Sequence, residues 1–358
     1  MNTLKTFGII GAGMIAEKHI VGIQKTGLAR VKWIARRDGT KLDSIQQKYA
    51  IPLGTTDYRD ILNDPEVDAV VITTPPALHY AQFVACVEAG KHILLEKPAA
   101  IRREQLDEMI RLAEQHPDLV ISDCSARHAR LQPRFRKVKE MIDSGMLGEI
   151  YFIHHNAVAR QSRPGIEYHP SAKWFLNREL AGGGVLFDWG VYDLSFHLGL
   201  LNDRPNIEKT HLLFMKKGLD RKDPGTEICD VEEHFAALLK LSGGIDYYWE
   251  RATHANMEAQ NETRIYGTKG GIKLAFCSWD DPSIEFFDVS EEGRGAARKE
   301  VYSVDCAGHD DNDALSAHFI AVLLGKETVQ MSLSLAGKHL GVIYRLYEEA
   351  GHLHGKMQ

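Results

Sequence analysis

Gly8-Ile9-Ile10-Gly11-Ala12-Gly13-Met14-Ile15-Ala16 is the stretch on which the fold of this chain turns. Residues 6–10 form a short apolar run with strand character, and residues 15–26 have helical spacing, so a G-x-G-x-x-A pattern falls at a strand-to-helix turn. Gly11 permits the tight turn, Gly13 lets backbone come close to a pyrophosphate, and the small Ala16 lets helix and strand pack closely. The anion then rests on the N–H groups at the start of the helix, around Met14 and Ile15, where the dipole favours negative charge. A bare structural turn is the alternative reading. The position of the pattern at the head of an alternating series favours nucleotide binding.

Outward from that turn, strand-like runs at 29–35, 69–73, 92–95 and 119–123 alternate with helical stretches at 41–49, 58–62, 77–89 and 103–115. Strict alternation implies right-handed crossovers and a parallel sheet with ligands at the carboxyl ends of its strands. Beyond residue 123 the texture changes. A helix is expected over 132–144, with Pro133 near its start and Gly145 past its end. Strand-like runs follow at 149–158, 209–215, 233–241, 245–252, 263–266, 284–288 and 299–304, which suggests an open, mostly antiparallel sheet. Helical stretches at 313–324 and 332–349 close the chain. The expected class is therefore α/β: a Rossmann dinucleotide-binding domain at 1–123, an α+β substrate and oligomerisation domain at 124–330, and a C-terminal helix at 331–358 packing back near the first domain. The join near 122–128 carries no Pro/Gly cluster, so packed rather than tethered domains are expected, with the site where the halves meet.

Bulk composition sets the outer limits. At 358 residues the chain exceeds the size at which one core stops growing, and 44% apolar with 26% charged residues is an ordinary globular mixture. Lys plus Arg is 43 against 49 for Asp plus Glu, with no long single-sign run, which argues against a nucleic-acid or acidic-membrane surface. The five cysteines are odd in number, scattered and without C-x-x-C, so neither a disulfide framework nor a zinc site is suggested. The apolar run 7–10 breaks at Gly11 and reads as a first strand, not a signal peptide, and no stretch approaches the ~18 to 20 apolar residues of a membrane span. A soluble protein of the reducing cytoplasm is expected.

Three further segments carry chemistry. At the end of the second strand, Ile34-Ala35-Arg36-Arg37-Asp38 brings two guanidinium groups to the place where an acid would bind the ribose 2′-hydroxyl of NAD. Arg36 and Arg37 suit bidentate contact with a 2′-phosphate, so NADP is favoured, with NAD served by Asp38 as the alternative. In Leu94-Leu95-Glu96-Lys97-Pro98 a lysine stands at the carboxyl end of a strand, its direction held by Pro98. Along Ala181-Gly182-Gly183-Gly184 to His197, a helix beginning near Asp188 would put Asp188 and Tyr192 one turn apart on one face, behind three glycines that let backbone approach a ligand. The pair could equally be a helix cap and a core tyrosine. Trp174 could stack on a sugar ring or serve loop packing, while Arg127, Arg130, Arg163 and Tyr168 could line the site or be solvated. His154-His155 and His309-Asp310-Asp311 lack an established metal-ligand spacing, and no metal is expected.

Together these segments resemble the Gfo/Idh/MocA family over essentially the whole chain: Gly11 to Ala16, Thr74-Pro75-Pro76 with His79, Glu96-Lys97-Pro98, Arg130 with Pro133, and Gly182 to Asp193. The resemblance implies hydride transfer between a nicotinamide and a carbinol or carbonyl carbon, commonly of a sugar or cyclitol. It also implies cofactor contacts from Thr74, Pro75, His79, Glu96 and Lys97 and a homo-oligomer, dimer or tetramer, formed through the C-terminal sheet. Lys97 inherits the catalytic or orienting role of the family's E-K-P lysine, and Asp188 its acidic partner. The position one turn after the acid is often histidine in the family and here is Tyr192, a residue that some members carry; a phenol beside an ammonium can exchange the proton. Two other classes stay open: a same-fold hydrolase or isomerase using a retained nicotinamide, and a non-catalytic nucleotide-binding regulator.

Overall fold

A computed structural model describes residues 4–160, 172–217, 228–276, 281–289, 295 and 297–351. The chain divides into two compact units, Met1–Arg127 with His309–Gly341, and His128–Gly308 with Val342–Gln358.

The first unit is built on six parallel strands, β1 (Lys5–Ile10), β2 (Ala29–Ala35), β3 (Leu53–Thr55), β4 (Ala69–Ile72), β5 (His92–Leu95) and β6 (Ile121–Asp123), in the order β3-β2-β1-β4-β5-β6. Helices α1 (Met14–Lys25), α2 (Leu42–Tyr49), α3 (Arg59–Asn63), α4 (His79–Glu88) and α5 (Arg103–Gln115) connect them. The strand order reverses between β1 and β4, which makes the carboxyl ends of these two strands the switch point where dinucleotides bind in such sheets. Phe7, Ile9, Val70, Val71 and Ile93 have no exposed surface, as strands covered by helices on both faces require. The strand β3 escapes the sequence reading because Leu53-Gly54-Thr55 is three residues long and only partly apolar.

In the second unit α6 (Pro133–Asp143) precedes β7 (Ile150–Val158), then α7 (Arg178–Ala181) and α8 (Val185–Leu200) precede β8 (Ile207–Lys216), β9 (His234–Leu241), β10 (Ile245–Ala252), β11 (Gln260–Gly267), β12 (Gly271–Leu274), β13 (Ser283–Val289) and β14 (Ala297–Ser303). The eight strands form one sheet ordered β14-β13-β12-β11-β7-β10-β9-β8, antiparallel except for β7 with β10. The helix α8 is apolar all round and every residue but Trp189 is buried, because β9 and β10 cover one side and α6 another. Gly190 brings α8 onto the sheet, where a Cβ would stand 2.9 Å from Trp249.

The last two helices are α9 (Asp311–Leu323) and α10 (Leu333–Glu349). The α9 helix packs on α1 in the nucleotide unit with Gly22 against Ser316, and its Phe319 meets Phe7 of β1 edge-on; the division between units falls within α10.

Candidate active site

In the nucleotide unit the chain leaves β1 through Gly11 at φ +104°, a conformation open to glycine. A Cβ on Gly11 would also stand 2.7 Å from Thr73 Oγ1 and 2.9 Å from the Thr73 carbonyl carbon. Thr73 ties the loop to β4 by donating from its backbone N–H to Ile10 O at 2.8 Å and from its hydroxyl to Ile10 O and Gly11 O. Gly13 is the N-cap of α1 with no side-chain cap, and a Cβ there would meet nothing within 4 Å. The start of α1 is thus an open cradle at Gly13, Met14 and Ile15, and Met14 is half exposed. Ala16 is fully buried, as close helix–strand packing demands. These features fit the pyrophosphate of a dinucleotide.

Arg36 is the first residue past β2. It donates from Nη1 to Ala12 O at 2.9 Å, which lays its side chain over the glycine loop, while Arg37 is exposed. Asp38 accepts from Thr40 N at 3.0 Å and Thr40 Oγ1 at 2.6 Å and so caps a short turn, Gly39–Lys41. The Thr40 hydroxyl and N–H hold its carboxyl below the usual range.

At the ends of β4 and β5, Thr74 donates to Gln82 Oε1 at 2.6 Å, and Pro75 leads into the turn before α4. His79 is fully buried with Nε2 2.8 Å from Thr74 O and Nδ1 3.0 Å from Pro98 O, so it bridges the two strand-end loops; burial pushes its pKa down. Glu96 is buried and receives His19 Nε2 at 2.9 Å, Arg127 Nη1 at 2.5 Å and the backbone N–H of Lys97 at 3.1 Å. Burial alone would raise its pKa, but the Arg127 guanidinium and then His19 hold it well below the carboxylate range. Glu96 therefore fixes the turn from which Lys97 projects. The Cys124 thiol joins His19 and Glu96 within 4.8 Å, but the carboxylate already answers a guanidinium, and the trio belongs to this ionic network.

In the second unit the helix starts at Val185, three residues earlier than the sequence suggests, and Asp188 and Tyr192 lie one turn apart on α8, both buried. The glycines ahead of them serve the protein itself. A Cβ on Gly184 would stand 1.7 Å from Glu232 O, and one on Gly183 would stand 2.1 Å from the Tyr347 hydroxyl. Glu232 accepts from Gly184 N at 2.8 Å and Leu186 N at 2.9 Å, capping α8 with a carboxylate from another segment. Expecting ligand contact from these two glycines is thus corrected: the close approach is to Glu232 and Tyr347.

Around Tyr192 the structure gathers His128, edge-on with ring centroids 4.8 Å apart, and Trp189 at 5.5 Å, neither singled out by the sequence reading. Asp193 is fully buried and takes Arg251 Nε at 2.5 Å, Arg251 Nη2 at 2.6 Å and Trp249 Nε1 at 2.8 Å. Burial would raise its pKa; Arg251 and then His155 hold it well down. His197, off the Asp188 face as its spacing implies, approaches the Tyr247 hydroxyl at 2.9 Å and is kept well below its ordinary pKa by burial. Arg130 is paired with Asp203 at 2.6 and 2.8 Å, and Arg127 with Glu96. Trp174 stacks on Phe175 at 3.8 Å. Arg163 and Tyr168 lie outside the described residues. His154 stacks on Tyr248 and His309 pairs with Asp311 at 2.8 Å.

A doubly wound nucleotide unit with an open glycine cradle, followed by a unit with a buried Asp-Tyr helix on a large sheet, defines a dinucleotide-dependent oxidoreductase. Residues 5–123 match the family described as "Oxidoreductase family, NAD-binding Rossmann fold", and residues 135–273 match the GFO/IDH/MocA C-terminal domain. An uncharacterized oxidoreductase, ORF334, of Rhizobium meliloti is 32% identical over 76% of this chain and 74% of its own length. The D-xylose 1-dehydrogenase [NADP(+)] of Haloarcula marismortui is 28% identical over 80% of this chain and 76% of its own. Levoglucosan dehydrogenase, solved with NADH and levoglucosan, shares the fold with a TM-score of 0.81 over 97% of both chains at 18% identity. The chain belongs to the Gfo/Idh/MocA oxidoreductase family and is an NAD(P)-dependent oxidoreductase. Among the described residues no helix is long and apolar enough to cross a membrane.

Proposed function

We propose that the protein is an NADP-linked dehydrogenase or reductase acting on a carbinol or carbonyl carbon of a sugar, cyclitol or related polyol. The observation that carries the reading is the buried Asp188 and Tyr192 pair on one helix of a chain that also holds the glycine cradle. The names of the xylose and levoglucosan enzymes support the substrate class. Arg36 over the glycine loop, Arg37 beside it and Asp38 spent on Thr40 support NADP over NAD.

The bound nicotinamide supplies the acceptor or donor of the hydride. Tyr192 exchanges the proton of the substrate hydroxyl, Lys97 stabilises the phenolate and polarises the substrate oxygen, and Asp188 orients the pair. Gly11, Gly13, Met14 and Ile15 hold the pyrophosphate, Arg36 and Arg37 the 2′-phosphate, and Thr74, Pro75, His79 and Glu96 shape the strand-end loops beside the cofactor.

Two further parts belong to this reading. The outward face of the large sheet docks a second copy of the chain, and the free thiols of Cys86, Cys124, Cys229 and Cys306 suit a reducing cytoplasm. The test is nicotinamide absorbance with D-xylose, D-glucose, myo-inositol and levoglucosan as probes and NADP+ or NAD+. Turnover that falls ~10²-fold or more in Tyr192→Phe and in Lys97→Ala supports the assignment. Near-native turnover in either variant removes that residue from it, and exchange of substrate without net cofactor reduction would indicate a retained nicotinamide.

A further inference from the structure

Asp123 ends β6, the strand beside the one that carries Lys97. Its register partner on β5 is Leu95, so Lys97 lies two residues beyond that partner along the same sheet edge. The side chain is 2% exposed. Oδ1 accepts from Ser125 N at 2.7 Å and the backbone N–H bonds Met331 O at 3.0 Å, but Oδ2 has no hydrogen-bond partner among the described residues. A buried carboxyl with one oxygen unanswered is costly to a fold, and cap geometry needs only Oδ1. Neighbouring Glu96, by contrast, is paired with the Arg127 guanidinium and has His19 Nε2 at 2.9 Å.

The charged and titratable groups around Asp123 are Glu96 and Lys97 beyond β5 and Cys124 beyond β6; Gln330, Met331 and Ser332 bring none. Burial, joined by Glu96, raises the Asp123 pKa to about 6 against the pull of Ser125 and Lys97. The carboxyl therefore changes charge just below neutrality.

We propose that Asp123 is a positioning residue for Lys97: its ionised carboxylate, from Oδ2 across one water, holds the Lys97 ammonium in its working direction, and that support is lost when the carboxyl takes a proton. The proposal rests on the assignment of Lys97 above. It also makes Asp123 a residue whose acidity the fold would be more stable without.

The experiment compares wild type, Asp123→Asn and Lys97→Ala, using NADP+ and whichever of the four probe substrates turns over fastest. It reads kcat from pH 5 to 9 and thermal unfolding across pH 4 to 8. The proposal expects a wild-type acid limb near pH 6 that is absent in Asp123→Asn, a kcat at least about tenfold lower in that variant at pH 7.5, and unchanged NADP(H) binding. It also expects a Tm for Asp123→Asn that equals wild type near pH 4 and exceeds it at pH 7.5, since a carboxyl with a raised folded pKa loses stability as pH rises through that value. An Asp123→Asn enzyme with the wild-type profile and kcat overturns the proposal. If that variant does not fold, a wild-type profile without an acid limb between pH 5 and 7 overturns it equally. A fully active Lys97→Ala enzyme instead removes the reading on which it rests, whatever Asp123 does.

Discussion

Glu96 shows how a single side chain sets the geometry of its neighbour. Its carboxylate is buried and stands against Arg127 at 2.5 Å, so removing the guanidinium leaves an uncompensated charge inside the protein. Arg127→Met should therefore destabilise by about 3 to 5 kcal/mol at pH 7. The pH sign follows from the depressed pKa of Glu96. Its contribution is present above the unfolded value near 4.5 and is lost as pH falls through the lower folded value. The difference between wild type and Arg127→Met should shrink below about pH 4.5, because the variant then holds a neutral acid. Denaturant unfolding at pH 4 and pH 7 checks both numbers, and an equal loss at the two pH values would contradict the charge argument. At the cofactor end, the proposed NADP(H) preference should invert in Arg36→Asp in nicotinamide fluorescence titrations; an unchanged preference would take Arg36 out of the proposed 2′-phosphate contact. The places of Arg36 and Lys97 just past strand ends are legible in sequence because the apolar runs before them announce β2 and β5. Arg127 as the partner of Glu96, 31 residues on, is not, because nothing local records which buried acid an arginine will meet.

At the scale of the element, α8 is held at its first turn by groups distant in sequence. Glu232 bonds Gly184 N and Leu186 N, and Gly184 allows it because a Cβ would overlap Glu232 O at 1.7 Å. That overlap is with backbone, so Gly184→Ala should cost more than the ~1 to 3 kcal/mol of ordinary overpacking, and Glu232→Ala about 1 to 3 kcal/mol through the lost charge-assisted cap. Because Asp188 is one turn inside this end, Glu232→Ala should also lower kcat more than it raises KM. A variant that unfolds more readily yet keeps full kcat would separate the cap from the chemistry. The helix itself was readable from its apolar run, and Asp188 with Tyr192 from their spacing. Its true start was not, because the capping residue comes from 48 positions downstream and three glycines look the same whether they admit a ligand or a carboxylate. Strands β3 and β12 escaped for a related reason: at three and four residues they are strands through pairing with their neighbours, more than through their own pattern.

At the scale of the molecule, the large sheet presents two faces of different character. Tyr247, Trp249, Phe235 and Leu239 point inward and are buried. On the other face Leu212, Leu238, Tyr248 and His154 line up across four strands, and Phe152 lies beside Tyr266 with tilted rings 5.4 Å apart in an adjoining row. Leu212 is 51% exposed and Phe214 38%, an apolar patch larger than a solitary surface leucine would make. The charges among them are paired within the chain: Lys240 with Asp246, His234 with Glu250, Arg264 with Glu262 and Lys299 with Glu285. A face with apolar rows and no excess of either sign suits a copy of itself related by a two-fold axis, where each row meets its own equivalent and no like charges are forced together. It suits an oppositely charged partner poorly. Wild-type protein should therefore scatter light as a dimer or tetramer, and Leu238→Asp with Tyr248→Asp should lower the mass to that of one chain, because an aspartate at the centre of a buried row has no counter-charge to meet. The nucleotide unit is untouched by these substitutions, so NADP(H) binding should persist in the dissociated variant. A wild-type mass of one chain, or an oligomer indifferent to both substitutions, would leave this face without a second copy.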